Sequence, residues 1–341
     1  MIRSVARCAL IATIAASGFG CSIGDDATST SRTARTTTTT TAATPSTVGR
    51  SVTQALLDQV CSGAPSITVA GVISAPQITE ASGLVASRDQ PGVWWVHNDS
   101  GDSARIFAID DSGQLLDLVG LAGADNRDWE DIAIGPGASP EEPDQIYVGD
   151  IGDNALLQND VEGARDSIQV FRLDEPTVDT GASAGAQPPP VPVDTLTFVY
   201  PDGPHDAESL LVDPIEGDLL IITKDWARAG DSGVYRAPVG LQNGSTTTLE
   251  HVATVPIEPG TLVTGADVSP DGTVVALRSY GAVDLYERPA GSPLWSAFDQ
   301  TPCAGPVPIE SQGEAIGFAA DGASYMTVSE GGEPDLHRTT G

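Results

Sequence analysis

A short pattern of residues recurs five times along this chain and limits the possible folds more than any other feature. Each copy opens on a small or acidic residue near apolar ones, at Ser82-Gly83-Leu84, Glu130-Asp131-Ile132, Glu208-Ser209-Leu210, Ala266-Asp267-Val268 and Glu314-Ala315-Ile316. A β-rich run then ends in polar residues, at 94–99, 146–150, 220–225, 274–280 and 325–330. A third run places an apolar residue before a ring, at Phe107, Phe171, Tyr235, Tyr286 and His337. Units of about 40–50 residues with several short strands are typical of propeller blades.

The sequence therefore predicts an all-β propeller with five blades. Four units have a candidate fourth strand, at 115–121, 194–200, 248–255 and 294–299, and the fifth has none. The β-branched stretch 66–74 has no opening motif of its own, so we expect it to complete the last blade and close the ring. A sixth, degenerate blade stays open as an alternative, because 155–193 and 287–311 contain unassigned residues.

The N-terminal region has the features of a targeting segment. Arg3 and Arg7 precede a short apolar stretch that ends at Cys21, and this arrangement resembles a bacterial lipobox. We expect residues 1–20 to be a signal peptide and Cys21 to carry a lipid that anchors the chain to a membrane, outside the cytoplasm. An ordinary secretory signal cut nearby is the alternative.

Three further segments follow the predicted lipid anchor. Residues 21–50 are rich in Ser and Thr and predict a disordered tether. Residues 51–61 have apolar side chains at helical spacing and predict a short helix. The remaining 62–341 are long enough for one propeller without a second large domain.

Two cysteines remain in an exported chain, Cys61 and Cys303. An even pair in an oxidising compartment favours a disulfide, and two separate thiols are the alternative. Because Cys61 lies just before the predicted closing strand, this disulfide would fasten the seam of the ring.

The charge of the chain limits its partners. The net charge is −31, and removal of 1–20, with two of the 16 basic residues, leaves 14 basic against 47 acidic residues, or −33. This balance excludes nucleic acid and suits cations or cationic ligands, although a surface adapted to salty surroundings would look the same. We expect a monomer.

In a propeller, equivalent positions of different blades converge at the central channel. The first column of such positions reads Ser82, Glu130, Glu208, Ala266 and Glu314, with Asp131 and Asp267 one residue further on. Carboxylates are uncommon in strands, so their recurrence predicts a calcium site formed by Glu130, Asp131, Asp150, Glu208 and Glu314. Alternatively, each carboxylate bonds to the backbone of the neighbouring blade and holds the blades in register.

The second column ends the second strand of each unit. It reads Asn98, Asp150, Lys224, Arg278 and Glu330, with His97 beside it, and Lys224 is the only lysine of the chain. The mixed charges predict a binding site for a small polar ligand formed by His97, Asn98, Lys224, Arg278 and Glu330. A ring of salt bridges between blades is the alternative.

Two loops share the spacing Asp-x-Gly-Asp, at Asp99–Asp102 and Asp150–Asp153, and could wrap a cation or only bond to their own backbone. His205 lies three residues before Glu208, and we take this pair as the candidate proton carriers of a catalytic site. Motifs of serine hydrolases, phosphate-binding loops and zinc proteases are absent from the sequence.

Several of these motifs resemble those of bacterial secreted propellers, the phytase-like esterases and the related SdiA-regulated family. The matching residues are Ser82-Gly83-Leu84, Asn98-Asp99, Asp128 to Ala133, Gly313 to Ile316 and Ser329-Glu330, within about 76–340. The resemblance implies that calcium ions bridge a phosphorylated substrate, with Glu130, Asp150, Glu208 and Glu314 as ligands.

These observations favour a lipoprotein propeller at the cell envelope that binds calcium and a small polar ligand in its channel. Metal-assisted hydrolysis of an ester or phosphoester is the activity that such a site would support. The alternative is a non-catalytic propeller that binds or assembles envelope proteins.

Overall fold

The fold is a five-bladed β-propeller, seen in a computed structural model that describes residues 50–341 except 138, 140, 159–162, 179–188, 225–230 and 259–260. The predicted signal peptide, Cys21 and nearly all of the predicted tether lie outside the described residues. None of the helices in the described part of the chain is long and apolar enough to cross a membrane.

Each blade is a sheet whose first strand lies innermost, and the chain visits the blades in order. Blade I contains β2 (Ala81–Ala86), β3 (Val93–Asn98), β4 (Arg105–Asp110), β5 (Leu115–Ala122) and β9 (Val191–Pro192). Blade II contains β6 (Trp129–Gly135), β7 (Gln145–Asp150), β8 (Ile168–Asp174), β10 (Asp194–Val199) and β14 (Thr246–Thr248). Blade III contains β11 (Ala207–Val212), β12 (Leu219–Thr223), β13 (Asp231–Ala237) and β15 (Glu250–Pro256).

The last two blades complete the ring. Blade IV contains β16 (Val263–Val268), β17 (Val274–Ser279), β18 (Ala282–Glu287) and β19 (Cys303–Gly305). Blade V contains β20 (Gly313–Phe318), β21 (Ser324–Ser329), β22 (Asp335–Thr340) and β1 (Ser66–Val72). Strand β1 pairs antiparallel with β22, which confirms the predicted closure of the last blade by an N-terminal strand. The described residues form five blades, which confirms the predicted number, and they contain no sixth blade.

Two blades gain a fifth strand from a later part of the chain. Strand β9 runs parallel to β5 at the edge of blade I, and β14 runs parallel to β10 at the edge of blade II. Each short strand covers an outer edge that would otherwise present unpaired backbone groups.

The core lies between the blades rather than in one central layer. Five apolar clusters fill the five blade interfaces, and the rings Phe107, Phe171, Tyr235 and Tyr286 belong to four of them. Every residue of the innermost strands is buried, because neighbouring blades pack on both faces of these strands.

Small residues allow the innermost strands to approach one another around the axis. A Cβ atom on Gly83 would lie 2.7 Å from the backbone nitrogen of Ile132, and a Cβ atom on Gly265 would lie 2.7 Å from the carbonyl oxygen of Glu314. Larger residues at these two positions would therefore push blades I and II, or IV and V, apart.

The segment predicted as the fourth strand of blade IV is instead a 3-10 helix, Leu294–Asp299. Its apolar residues Leu294, Ala297 and Phe298 are spaced three or four apart, and all three are buried in the core between blades III and IV. That spacing suits a helical turn better than a strand, and β19 provides the fourth strand after the turn.

A helix and a disulfide fix the N-terminal segment to the ring. Helix α1 (Val52–Cys61) lies where the sequence predicted a short helix, and its N-cap Ser51 accepts a hydrogen bond from the Gln54 amide. Leu56, Leu57 and Val60 pack between blades IV and V. The predicted disulfide joins Cys61 to Cys303, with 5.6 Å between the Cα atoms, and so attaches α1 to β19 of blade IV. A second, four-residue helix, α2 (Asn154–Leu157), follows β7.

Removal of this disulfide should destabilise the protein. The two cysteines are 242 residues apart, and a cross-link over so long a loop stabilises by about 2–5 kcal/mol through the entropy of the unfolded chain. We expect the Cys61→Ser/Cys303→Ser double variant to lose stability of that order in urea unfolding. Wild type measured with and without reductant is the control, and equal midpoints for all samples would contradict the structural role.

Candidate functional site

A cavity of about 150 Å³ lies at the end of the channel where the innermost strands begin. The register explains why the two sequence columns meet there. In each blade the first residue of the innermost strand pairs with the last residue of the second strand, or with the residue beside it, as in Trp129 with Asp150 and Gly313 with Ser329. The start of one strand and the end of the next therefore share one mouth of the ring.

The wall of the cavity is strongly acidic. Six carboxylates line it, namely Asp99, Glu130, Asp206, Glu208, Glu314 and Glu330. The other lining residues are Ser82, Asn154, Lys224, Tyr280 and Gln312. Lys224 is the only basic residue among them, so the cavity as a whole favours positive charge.

A β-bulge at the start of each innermost strand directs these carboxylates. The pairing of β6 with β7 skips one residue between Trp129 and Asp131, and the skipped residue is Glu130. The skipped residue is Glu208 in blade III and Glu314 in blade V. Because a bulged residue leaves the ladder, its side chain can point in a direction that a regular strand does not allow.

In blade IV the bulged residue is Thr264, not Ala266 as the sequence alignment had it. The Thr264 hydroxyl donates to the carbonyl oxygen of Gly313 at 2.9 Å, and the Ser82 hydroxyl of blade I donates to that of Glu130 at 2.7 Å. Blades I and IV thus use a hydroxyl at the bulge to hold the next blade.

Glu130 lies at the centre of the most concentrated negative charge. Oxygen atoms of Asp99, Asp128 and Glu130 all lie within 4.8 Å of one another. Glu130 is 7% exposed, and among the described residues no group donates a hydrogen bond to its carboxylate. Gly152 packs directly against Glu130 Oε1 and lies beside Asp128. Among the described residues no salt bridge joins this trio to a basic side chain, although Asp128 accepts from Asn154 Nδ2 at 2.7 Å and feels the charge of Arg165.

Burial and mutual repulsion raise the pKa values of these groups. Burial raises the pKa of Asp99 to about 7 and that of Asp128 to about 6. Glu130 has its pKa raised well above the ordinary value, by burial first and then by the charges of Glu208, Asp99, Asp128 and Asp206. A cation would relieve this cost and displace the retained protons.

Lys224 neutralises a different part of the wall. Its ammonium group forms a buried ion pair with Glu208 and donates to the Tyr280 hydroxyl at 3.2 Å. Burial disfavours the charged lysine, but the Glu208 carboxylate outweighs it and raises the pKa of Lys224. The prediction that Lys224 belongs to a polar site at the channel fits this position.

The structure brings some of the predicted residues together and leaves others outside the cavity. Glu130, Glu208, Glu314, Lys224 and Glu330 line it. Asp150 lies outside the wall, paired with Arg165 through a contact of 2.8 Å. Arg278 is fully buried, paired with Glu310 and donating to the Ala315 carbonyl oxygen at 2.8 Å. The Arg278–Glu310 pair joins blade IV to the segment before blade V, as the alternative of salt bridges between blades expected, whereas the Asp150–Arg165 pair lies within blade II.

Asn98 and His97 also lie behind the wall. Asn98 accepts from the Thr79 amide at 2.9 Å and donates to Gln77 and Asp102, so both ends of its side chain are bonded. His97 is buried against Trp129, with 5.7 Å between ring centroids, and burial lowers its pKa to about 4. A neutral histidine in this position packs blade I on blade II.

His205 does not reach the cavity. Its ring stacks between Tyr200 and Tyr235 at centroid distances of 4.9 and 5.2 Å, and its Nε2 atom lies 3.1 Å from Asp202. No histidine is present among the described residues that line the cavity. A proton carrier among these lining residues would be a carboxyl group, Lys224 or Tyr280.

Asp131 joins three blades through its carboxylate. Its carboxylate accepts from the backbone amides of Ile132 and Leu210, both at 2.9 Å, and from that of Ala266 at 3.4 Å. Asp131 thus bonds to blade III and across the axis to blade IV, which is the role that the alternative interpretation gave to such carboxylates. Asp267 acts similarly, since it accepts from the Phe318 amide of blade V at 2.6 Å.

Asp128 and Asp206 are site residues that the alignment of equivalent positions in the five repeats did not identify. Each lies two positions before a bulged glutamate, in the repeated pattern Asp-x-Glu at 128–130 and 206–208. Comparison of the repeats at this position would have found both residues. Asp99 was anticipated only as part of a loop that could wrap a cation.

Comparison with known proteins does not assign the chain to a family. No protein-family model matches the chain, and a search of the curated proteins found no match. The geometry of the cavity is therefore the basis for any functional conclusion.

The buried Asp267 carboxyl group, which bonds to the Phe318 amide of blade V, should make the free energy of unfolding depend on pH. Burial raises the pKa of this carboxyl group to about 7 from an ordinary 3.8, so the folded chain keeps a proton that the unfolded chain releases. The free energy of unfolding should therefore decrease as pH rises from about 4 to 7, by up to about 1.4 kcal/mol per pH unit from this group.

Urea unfolding at several pH values would check this dependence. The Asp267→Asn variant should show a smaller decrease than wild type over the same range, whereas the exposed control Asp321→Asn should follow wild type. Parallel curves for wild type and Asp267→Asn would show that Asp267 does not hold the proton.

Proposed function

We propose that this propeller is a binding protein that holds one calcium ion at the mouth of its channel. The observation that carries the proposal is the trio Asp99, Asp128 and Glu130, whose oxygens lie within 4.8 Å of one another. Glu130 is buried there without a hydrogen-bond donor among the described residues. A bare carboxylate in such a place is costly unless a cation pairs with it.

The spacing of the trio suits a hard cation. Calcium binds oxygen at about 2.3–2.6 Å, so two oxygens on opposite sides of one ion lie about 5 Å apart. The observed limit of 4.8 Å allows all three carboxylates to contact the same ion. The remaining coordination positions face the cavity, where water or a ligand oxygen can occupy them.

Lys224 supports a single cation rather than two. Its ammonium group is already paired with Glu208 on the blade III side of the cavity. A second metal ion there would have to displace or repel this ammonium group. The resemblance to phytase-like propellers, which implies several bridging calcium ions and a role for Asp150, stays a prediction.

The proposal does not extend to hydrolysis of phosphoesters. Six carboxylates and one ammonium group line the cavity, so an anionic substrate would be repelled even beside a bound divalent ion. A volume of about 150 Å³ is also below the about 300–1,000 Å³ of sites for drug-sized ligands. A small ligand without negative charge is the occupant that fits beside the ion.

The alternative role as an assembly platform has weaker support. The exposed large apolar side chains of the described residues are Val52, Val69, Ile215, Val239 and Ile309. They belong to α1, β1, the surroundings of blade III and the loop before β20, so they do not form one broad face. Protein-binding surfaces are usually contiguous apolar patches.

Calcium titration of the purified full chain tests the proposed site. Wild type should bind about one calcium ion and gain about 2.7 kcal/mol of stability at a free concentration 100 times the Kd. Glu130→Gln keeps the size of the side chain but removes its charge, and should weaken calcium binding at least tenfold by calorimetry. The exposed control Glu216→Gln should bind as wild type does.

A second variant tests the geometry without removing a charge. Gly152→Ala would place a methyl group against Glu130 and should also weaken calcium binding, whereas Gly281→Ala, where a Cβ atom meets nothing within 4 Å, should not. Absence of stoichiometric calcium in wild type, or equal affinity in Glu130→Gln, would refute the proposal.

We also propose that the chain is a lipid-anchored, extracytoplasmic monomer that does not bind nucleic acid. The disulfide between Cys61 and Cys303 supports an oxidising compartment, and the sequence around Cys21 supports the anchor. Cell fractionation should find wild type with the membrane and Cys21→Ser in the soluble fraction. An unchanged distribution of Cys21→Ser would count against lipidation.

A further inference from the structure

Most hydrogen-bond donors of the cavity wall have partners within the protein, whereas two of its carboxylates have unpaired oxygen atoms. The Ser82 hydroxyl, the Asn154 and Gln312 amides and the Lys224 ammonium each already donate to an oxygen of the protein. By contrast, the Glu130 carboxylate has no donor among the described residues, and Glu314 Oε2 is buried without a hydrogen-bond partner. Because unpaired acceptors and negative charge dominate this wall, it favours an occupant that brings donors or positive charge.

The unsatisfied acceptors lie in two different parts of the cavity. Glu130 belongs to blade II, with the trio that we assign to the cation. Glu314 belongs to blade V and is 5% exposed, and Gln312 bridges it to Glu330 by donating to both carboxylates. Among the described residues, the group of three carboxylates close enough to share one metal ion is Asp99, Asp128 and Glu130, and Glu314 and Glu330 are outside it. The blade V side of the cavity therefore suits the hydrogen-bond donor of an organic ligand better than a second metal ion.

The surroundings of Glu314 suit an ammonium group. The wall already holds one ammonium group, that of Lys224, which is paired with Glu208 on the blade III side and lies 5.2 Å from the centroid of the Tyr280 ring. A bound ammonium group would meet the open Oε2 atom of Glu314 and the charge of Glu330. A neutral hydroxyl would satisfy the hydrogen bond but leave the excess negative charge.

We propose that Glu314 and Glu330 form a subsite for the primary ammonium group of a small organic ligand. This inference rests on the same cavity as the proposed calcium site and names the class of ligand that binds next to the ion. Because the cavity is small and opens beside the exposed Asn154 and Gln312, the ammonium group enters while the rest of the ligand extends towards solvent.

Three probes of the same length distinguish the ligand classes. Propylammonium, 1-propanol and propionate can be titrated into the purified full chain at pH 7 and saturating calcium, with binding followed by NMR shifts of the protein. We expect propylammonium to bind at least tenfold more tightly than 1-propanol and propionate not to bind. Equal binding of the neutral or anionic probe, or no binding of propylammonium, would overturn the proposal.

Variants separate the subsite from the calcium site. Glu314→Gln should weaken propylammonium binding at least tenfold and leave calcium binding within about threefold of wild type, whereas Glu130→Gln should do the reverse. Glu330→Gln, at a half-buried position, gives the same test if Glu314→Gln fails to fold, and Glu216→Gln is the control.

The results of these titrations also show which proposal has failed, the calcium site or the ammonium subsite. Propylammonium binding that depends on Glu314 without any calcium binding would refute the calcium site and keep the subsite. Propylammonium that competes with calcium and depends on Glu130 instead would show an amine in the metal position and refute the subsite.

Discussion

The close approach of five innermost strands around one axis is the constraint on which the rest of the structure depends. Each strand is packed by neighbouring blades on both faces, so small residues such as Gly83 and Gly265 are needed where backbones meet. The same crowding is relieved at the start of each strand by a β-bulge. The bulged residues then either hold the next blade, as Ser82 and Thr264 do, or point a carboxylate into the cavity. Closure and site formation thus share one local device.

The buried carboxylates of the ring differ in how many hydrogen-bond donors surround them. Asp131 and Asp267 lie in the same strands as the cavity residues, but backbone amides of other blades satisfy them. Glu130 and Glu314 have no comparable set of donors in the described structure. Apolar packing at five interfaces stabilises the ring strongly enough to hold such groups together. The number of hydrogen-bond donors around each carboxylate therefore distinguishes those that hold the blades together from those that a ligand could still bind.

The sequence predicted the architecture well because blade spacing, strand pattern and the closing segment 66–74 depend on local residue types. It could not place side chains that depend on register. Ala266 resembles the other opening motifs, yet the bulge falls on Thr264. His205 is near Glu208 in the chain, but its ring packs against Tyr200 and Tyr235. Arg278 and Asp150 find buried ion partners that only the tertiary structure brings close, Glu310 and Arg165.

The pairing of β1 with β22 has a consequence for how the ring can form. Strand β22 is completed about 270 residues after β1, so the fifth blade cannot assemble until the four blades between them have been synthesised. Such a long-range pairing makes folding late and slow, and it leaves the edge of β22 exposed until β1 docks.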